Sequence, residues 1–544
     1  MLFFPPDPIA QLIKVAVGVG KSREAREQIK QILSSLPPGT CLVITTPTHN
    51  LNDEHLERLV ALLKDVGADV AVYRGRNAWD PARPGKKMCD FASEAADLSA
   101  AGGEPEQLCS REIKDNLVCC KFYGLCGYRK QFDFTPQVWI TPHALLTKKR
   151  PTCIPEVAAL IVDEDPLSTF LEGFDKNHPV RVSMDESRQV RQVPVKQGGK
   201  NIDIEKTAYL ESARAALCRA LSGVEGIITT KSLIDAGLTA KIATDTHRAI
   251  WKTKKRVTVS PDMPTEERKK LIKEAEIHNQ PIQRLSRFLK LIGETLYNER
   301  DLLPGCRVER GIKVKNGPQY DAVRLRWRES LHNDWKAPTM ILSATAKPEL
   351  LKYIWPKLEL VADENPVFKH TKVRQILWSA AQNKLKNQNH IHNLKRYIET
   401  RAFEYRGQGA EIEGRKVDVL VVTQKGAEKS LNALTLSENV DTAHYNAVQG
   451  IDRWGGVACI IIIGRTMPPP EEVELMAEVL TGAVVDRHGA EFPGGWYPRK
   501  ITGIRQKGAG ENGHPTQTEY HPDEITEALR WSICEAELIQ AIGR

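Results

Sequence analysis

The sequence predicts an α/β protein with two parallel-sheet units, the first of which contains a cysteine-rich insert and a mainly helical insert. Short apolar runs alternate with segments of helical periodicity, which is typical of a doubly wound parallel sheet. The chain has 544 residues, more than a single hydrophobic core accommodates. We predict a first unit at 1–204 and 336–365 containing the cysteine-rich insert at 74–136, a helical insert at 205–335, and a second unit at 366–544.

The composition is that of a globular protein. Hydrophobic residues make up 41% of the chain and charged residues 27%. No apolar run reaches the length of a membrane span, and the N-terminus lacks the regions of a signal peptide. The net charge of +8 is compatible with a polyanionic partner. Eleven cysteines in so long a chain do not suggest a secreted disulfide scaffold, so we expect a cytoplasmic protein with no membrane partner.

A glycine turn follows the first apolar run and opens the first helix, which we expect at 23–33. The residues that we expect to bind the phosphates of a nucleotide are Gly18, Val19, Gly20, Lys21 and Ser22. Backbone N–H groups of such a turn close around phosphate oxygens. Lys21 would reach the β- and γ-phosphates, and the Ser22 hydroxyl would ligate Mg²⁺. Val15 stands where the full phosphate-loop pattern has glycine, so an ordinary glycine-rich turn is the alternative.

The next segments continue the alternation. We predict a strand that begins at Thr40 and ends in Thr-Pro-Thr-His, a helix at 53–66 and a strand at 68–73. In an open α/β sheet, ligands bind at the carboxyl ends of the strands. The Thr-Pro-Thr-His loop is therefore expected at the same edge as the glycine turn.

Five cysteines cluster in the stretch that interrupts the first sheet. Four thiolates can hold an iron–sulfur cluster or a structural zinc ion, and the spacing does not distinguish the two. The predicted ligands are Cys89, Cys109, Cys120 and Cys126, with Cys119 as a substitute for Cys120. A set of free thiols buried for packing is the alternative.

An apolar strand at 158–162 ends in carboxylates. Asp163 at its tip would hold Mg²⁺, and Glu164 would polarise the attacking water in nucleotide hydrolysis. The preceding strand, at 137–143, also ends in small residues. Both strands belong to the first sheet, so their ends are expected near the glycine turn.

The rest of the chain completes the predicted organisation. The helical insert is expected to contain helices at 209–221 and 282–303 and a short β segment at 308–327. The strand that follows it ends in Ser343-Ala344-Thr345. The second unit is expected to have strands at 417–422 and 458–463 and a last helix at 523–541.

The motifs in this order resemble those of a superfamily 2 helicase with two RecA-like P-loop NTPase domains. They are the glycine turn, Thr-Pro-Thr-His, Thr-Pro-His-Ala-Leu-Leu, Val-Asp-Glu-Asp, Ser-Ala-Thr, a Gly-x-Asp-x-Trp segment and Gln-x-x-Gly-Arg. The cysteine-rich insert and the helical insert after it are similar to those of the iron–sulfur branch, of DinG and XPD type. The chain also resembles the helicase parts of phage- and plasmid-encoded replication proteins.

The resemblance implies an ATP-dependent DNA helicase that uses ATP and Mg²⁺ between its two RecA-like domains and acts on single-stranded and duplex DNA. It implies that Gln540 and Arg544 approach the γ-phosphate, Arg544 as an arginine finger. The residues that it places along the DNA strand are Thr46, His49, Thr141 and His143. Ser343 and Thr345 would couple domain closure to movement, and 5′-to-3′ movement is implied.

The sequence departs from the family pattern in two ways that leave alternatives open. Asp165 and Pro166 follow the acidic pair where many relatives have Ala-His, so only Asp163 and Glu164 are carried over. The family pattern continues past Arg544, and we expect the second domain to be truncated at its C-terminus. Two alternatives to a helicase therefore stay open. One is a nucleic-acid-binding ATPase remnant without unwinding activity, and the other is a double-strand translocase subunit.

Overall fold

The computed structural model of the chain describes residues 9–16, 21–113, 116–314, 317–364, 372–376, 380, 382–445, 453–505 and 514–542. The strands in these ranges are, in chain order, β1 (Ala10–Val15), β2 (Thr40–Thr46), β3 (Val70–Val72), β4 (Ser110–Ile113), β5 (Asn116–Cys119), β6 (Val138–Pro142), β7 (Glu156–Asp163), β8 (Leu171–Glu172), β9 (Arg181–Ser183), β10 (Gly226–Thr229), β11 (Leu302–Ile312), β12 (Tyr320–Arg324), β13 (Trp327–Arg328), β14 (Thr339–Leu342), β15 (Leu358–Glu364), β16 (Ala410–Ile412), β17 (Arg415–Val417), β18 (Val419–Thr423), β19 (Val440–His444), β20 (Cys459–Ile462), β21 (Arg499–Arg505) and β22 (His514–Glu519).

The α-helices in the same ranges are α1 (Lys21–Ser34), α2 (His49–Leu63), α3 (Ala92–Ala100), α4 (Gly127–Lys130), α5 (Met184–Arg188), α6 (Ile204–Leu221), α7 (Thr230–Asp235), α8 (Ala240–Lys252), α9 (Thr265–Tyr297), α10 (Pro348–Leu351), α11 (Gln382–Leu385), α12 (Gln388–Glu404), α13 (Lys425–Asn432), α14 (Pro470–Thr481) and α15 (Glu524–Ile542).

Seven parallel strands form the largest sheet, in the order β15-β1-β14-β7-β2-β6-β3. The interior strand β2 shows how both faces of this sheet are covered. Cys41 and Val43 point into one core, and Leu42 and Ile44 point into a second core on the opposite face. A strand buried on both sides needs a continuous apolar run, which β2 has. The predicted α/β class with a large parallel sheet is confirmed.

The cysteine-rich stretch packs against this sheet. Met88, Cys89, Cys126 and Tyr128 belong to the same buried cluster as Trp139 of β6. Strands β4 and β5 form an antiparallel hairpin, and α3 packs on the long helix α9 of the following stretch. The side chains of the cysteine-rich stretch are therefore held from two sides.

The stretch between β7 and β14 has its own core of helices around an antiparallel sheet in the order β10-β11-β12-β9. The helix predicted at 282–303 was wrong at both ends, because α9 begins at Thr265 and ends at Tyr297. Glu299 has a φ of 52°, a left-handed conformation that interrupts the helix, and β11 begins three residues later. Pro281 lies inside α9 without ending it.

A second parallel sheet has the order β19-β18-β20, and its central strand is buried from Val419 to Val422. The helices α14 and α15, which follow this second sheet along the chain, also pack against the first sheet. Val473 and Leu480 of α14 and Leu529 of α15 lie in the large core of the first sheet. The predicted unit boundaries at 204, 336 and 366 stay predictions.

None of the helices in the described ranges is both long enough and apolar enough to cross a membrane.

Candidate functional site

The predicted site residues follow strands that end at one edge of the large sheet. Because β1, β2, β6, β7 and β14 are parallel neighbours, their carboxyl ends lie side by side. Gly18, Val19 and Gly20 of the glycine turn lie outside the described residues. Lys21 and Ser22 form the first two positions of α1, but the structure does not describe their side chains. The described part of the site is therefore formed by Asp163, Glu164 and the residues that contact them.

Asp163 ends β7 and is almost fully buried, with 2% of its surface exposed. Its Oδ2 accepts a hydrogen bond from Nε2 of His55 at 2.9 Å. His55 lies on α2 and is buried as well. One carboxylate oxygen is thus held in a fixed direction by an imidazole from the neighbouring helix. His55 is a site residue that the sequence motifs did not predict.

A signal for His55 was present in the sequence. Along α2 the buried positions include Asn52, His55, Leu59 and Leu63, so two polar residues occupy the apolar face of an amphipathic helix. Buried polar side chains need hydrogen-bond partners. Asn52 Oδ1 accepts a hydrogen bond from the hydroxyl of Thr46 at 2.6 Å, which ties the same helix to the end of β2.

Glu164 has an unusual backbone conformation. Its φ is 70°, in the left-handed region that glycine favours, and its N–H donates to the carbonyl of Leu342 at 2.8 Å. Such conformations cost about 1–3 kcal/mol and persist where the surroundings hold them. The turn directs the carboxylate of Glu164 away from the strand direction and toward the last helix of the chain.

Gln540 of α15 meets Glu164. Its side-chain Nε2 donates to Glu164 Oε2 at 2.9 Å and to the hydroxyl of Thr345 at 3.4 Å, although Gln540 and Glu164 are 376 residues apart. Ser343 begins the turn that carries Thr345, and its Oγ accepts the N–H groups of Thr345 and Ala346. The structure thus brings together Glu164, Thr345 and Gln540. Arg544 lies outside the described residues.

Of the four residues predicted along a DNA strand, three are buried. Thr46 and Thr141 have no exposed surface, and His143 is 3% exposed. The Nε2–H of His143 is shared between the carbonyl oxygens of Thr45 and Asp163, at 3.2 and 3.0 Å. His49, at the start of α2, is exposed. The predicted contact of these four residues with DNA stays a prediction.

We expect protonation of His143 to destabilise the protein. Burial lowers the pKa of His143 from 6.5 to about 4. An unfolded chain would therefore bind a proton at this residue between pH 6.5 and 4, while the folded chain would not. The stabilisation is complete above pH 6.5 and declines by about 3 kcal/mol as the pH falls to 4.

The measurement is urea denaturation of the wild type and of His143→Asn at several pH values from 7.5 to 4.5. The difference between the two free energies of unfolding should shrink as the pH falls, since the variant has no imidazole to protonate. A difference that stays constant over this range would contradict the prediction.

The predicted cysteine ligands lie in one neighbourhood. A side-chain hydrogen bond between Cys89 and Cys126 raises the pKa of Cys89 and lowers that of Cys126. Cys120 lies close enough to Cys109 and Cys126 for their charges to affect its pKa, which burial raises. Cys119 is exposed, so Cys120 is better placed than Cys119 to join the other three.

Two N–H donors point at these sulfurs. Arg76 Nη1 lies 2.9 Å from Cys109 Sγ, and the backbone N–H of Phe122 donates to Cys120 Sγ at 3.4 Å. Donors of this kind stabilise thiolates and tune the potential of iron–sulfur clusters, so the chemistry of the set suits a thiolate-bound group. No three His, Cys, Asp or Glu side chains in the described ranges converge as ligands of a single metal ion. That these cysteines bind an iron–sulfur cluster or a zinc ion stays a prediction.

Comparison with known proteins gives weak likenesses only. No family model matches the chain, and no curated protein matches it. A solved structure described as "Truncated XPD" is 12% identical with a TM-score of 0.28, covering 66% of this chain and 95% of that one. The "DUF1998 helicase MrfA bound to DNA" is 9% identical with a TM-score of 0.29, covering 88% of this chain and 47% of that one. Likenesses this weak do not assign the chain to a family.

Proposed function

We propose that this chain is an ATP-dependent DNA helicase or translocase that hydrolyses ATP between its two parallel-sheet units. The observation that carries the proposal is the hydrogen bond between Gln540 and Glu164. It joins a carboxylate at the end of β7 to a side chain of α15. In the sheet, β14 alone separates β7 from β1, the strand that leads toward the glycine turn. Residues on opposite sides of a nucleotide site are required if closure of the site is to be coupled to hydrolysis.

In this proposal each residue has a defined task. The glycine turn and Lys21 bind the phosphates of ATP, while Ser22 and Asp163 hold Mg²⁺, which would neutralise phosphate charge when bound. The buried carboxylate of Asp163, oriented by His55, suits a hard divalent cation. Glu164 orients the attacking water and accepts its proton. Arg544 acts as the arginine finger.

Gln540 is proposed to report the state of the nucleotide to the rest of the chain. Its amide contacts both Glu164 and Thr345, and Thr345 belongs to the turn after β14. A γ-phosphate beside Glu164 would compete for this amide and shift α15 relative to that turn. Repeated binding and release would then move the protein along a single DNA strand. Cys89, Cys109, Cys120 and Cys126 are proposed to hold a structural iron–sulfur cluster or zinc ion.

The test is ATP hydrolysis with and without single-stranded DNA. Single-stranded DNA should increase the rate of ATP hydrolysis by the wild type. In Gln540→Ala the rate with DNA should be about tenfold lower than in the wild type, because a charge-assisted hydrogen bond is lost. Gln517→Ala in β22 removes the same amide elsewhere in the chain and serves as the control. A wild type that hydrolyses no ATP under either condition would contradict the proposal.

Strand separation is measured separately with duplexes that carry a 5′ or a 3′ single-stranded tail. Unwinding of the 5′-tailed duplex is the expected result for movement in the 5′-to-3′ direction. Hydrolysis that is stimulated by DNA without unwinding of either duplex would identify a translocase.

A further inference from the structure

A cavity of about 180 Å³ lies at the junction of four elements, the C-terminal end of α9, the strands β11 and β13, and the last turn of α14. Three arginines line it, Arg300, Arg326 and Arg328, together with a single carboxylate, that of Glu294. A water needs about 10–15 Å³ of such volume, so the cavity has room for a group of several atoms. None of the motifs described above lies here.

Arg326 is the deepest of the three arginines. It is 7% exposed, and its Nη1 is buried without a hydrogen-bond partner in the part of the chain that the structure describes. Burial, with a smaller contribution from the charge of Arg324, lowers the pKa of Arg326 to about 10. A guanidinium that is buried without a carboxylate partner is costly, since its charge is neither solvated nor compensated.

The carboxylates nearest to this cavity are already paired with other cations. Glu478 binds Arg307 through both of its oxygens, and Glu309 pairs with Arg181 and Arg324. Glu472 of α14 pairs with Lys176 between β8 and β9, and Glu294 pairs with Lys290 one turn earlier on α9. None of these carboxylates, all in the part of the chain that the structure describes, forms an ion pair with Arg326, although the charges of Glu309 and Glu472 raise its pKa and so offset part of the cost of burial.

The other two arginines have only neutral partners. The guanidinium of Arg300 lies against Gly482, which ends α14 in a left-handed conformation. Arg328 donates to the carbonyl of Tyr353. Within the described ranges neither forms an ion pair with a carboxylate. Burial lowers the pKa of Arg328, and the charge of Arg300 lowers it further, so the two cations repel each other across the cavity.

We propose that this cavity is a binding site for a phosphate-class oxyanion, held by Arg326, Arg328 and Arg300. Planar guanidinium groups match the geometry of phosphate oxygens and bind them through paired N–H donors. An oxyanion would satisfy Nη1 of Arg326 and relieve the repulsion between Arg300 and Arg328. The anion can come from a free phosphate compound or from the backbone of a nucleic acid strand.

The test uses the 544-residue chain with Lys21→Ala, which removes the lysine expected to bind phosphate at the glycine turn. Pyrophosphate and a single-stranded oligothymidylate are titrated separately by calorimetry at constant ionic strength. Adding Arg326→Gln should weaken the binding of at least one of them about tenfold or more. Lys313→Gln removes the same charge from an exposed position after β11 and should change both affinities less than twofold.

The two titrations distinguish the sources of the anion. Loss of pyrophosphate binding alone indicates a free phosphate compound, and loss of oligonucleotide binding indicates a backbone phosphate. Arg328→Gln changes a side chain that is more accessible than that of Arg326 and serves as the second variant if Arg326→Gln does not fold. Unchanged binding of both ligands in the folded arginine variants would overturn the proposal. The outcome does not depend on ATP hydrolysis, so it is separate from the test of the proposed function.

Discussion

Replacing Glu164 by Gln is expected to stop ATP hydrolysis while ATP still binds. The substitution keeps the size of the side chain and its ability to hydrogen-bond Gln540, but it removes the oxygen that would accept a proton from the attacking water. General base catalysis contributes about 10²–10⁴-fold to a rate, so kcat should fall by a factor in this range. The left-handed backbone at position 164 is unaffected by the change from carboxylate to amide.

The measurement pairs the steady-state hydrolysis rate with the affinity for a fluorescent ATP analogue. In Glu164→Gln only the rate should change, whereas in Lys21→Ala the affinity should fall as well, because Lys21 is proposed to contact the phosphates directly. The two variants thus separate turnover from binding. A Glu164→Gln protein with a kcat within twofold of the wild type would exclude Glu164 as the base.

The parallel sheet was predictable because burial on both faces leaves a plain pattern in the sequence. In β2 the apolar residues are continuous, and the structure sends Leu42 and Val43 to opposite cores. The end of α9 was not predictable in this way. Leu302 and Leu303 continue the apolar spacing of the helix, but the left-handed Glu299 intervenes and both leucines lie in β11 instead. The spacing of apolar residues does not reveal a turn that depends on the φ angle of a single residue, here Glu299.

The sequence indicated which residues belong to the candidate site better than it indicated which hydrogen bonds they form. Parallel strand topology brings the ends of β7 and β14 together, and the predicted site residues Glu164 and Thr345 follow these two strand ends. The bond from His55 to Asp163 depends on how α2 packs across the sheet, which the sequence does not specify. The three arginines around the cavity come from residues 300 to 328 and acquire their common environment only when α14 packs on this stretch.

Removing the predicted cysteine ligands is expected to release the bound group and to destabilise the chain. Cys89 and Cys126 lie in the core that also contains Trp139 of the large sheet. Loss of the bound group would therefore also destabilise the packing against this sheet. Structural zinc contributes on the order of 10 kcal/mol to the folding of small zinc modules. We expect Cys126→Ser to lose the metal and to have a Tm about 10 °C below that of the wild type. The loss of stability is smaller than in a small zinc module because the rest of the core still stabilises the fold.

Cys306→Ser is the matched control, because Cys306 is also fully buried but lies in the separate core of the helical insert. It loses the packing of a buried thiol without touching the cysteine cluster, so its metal content should equal that of the wild type. Elemental analysis and the absorbance of the purified protein measure the group, since an iron–sulfur cluster is brown and zinc is colourless. If the wild type contains neither iron nor zinc and both variants lose similar stability, the four cysteines are buried thiols. The hydrogen bond between Cys89 and Cys126 is then part of ordinary core packing.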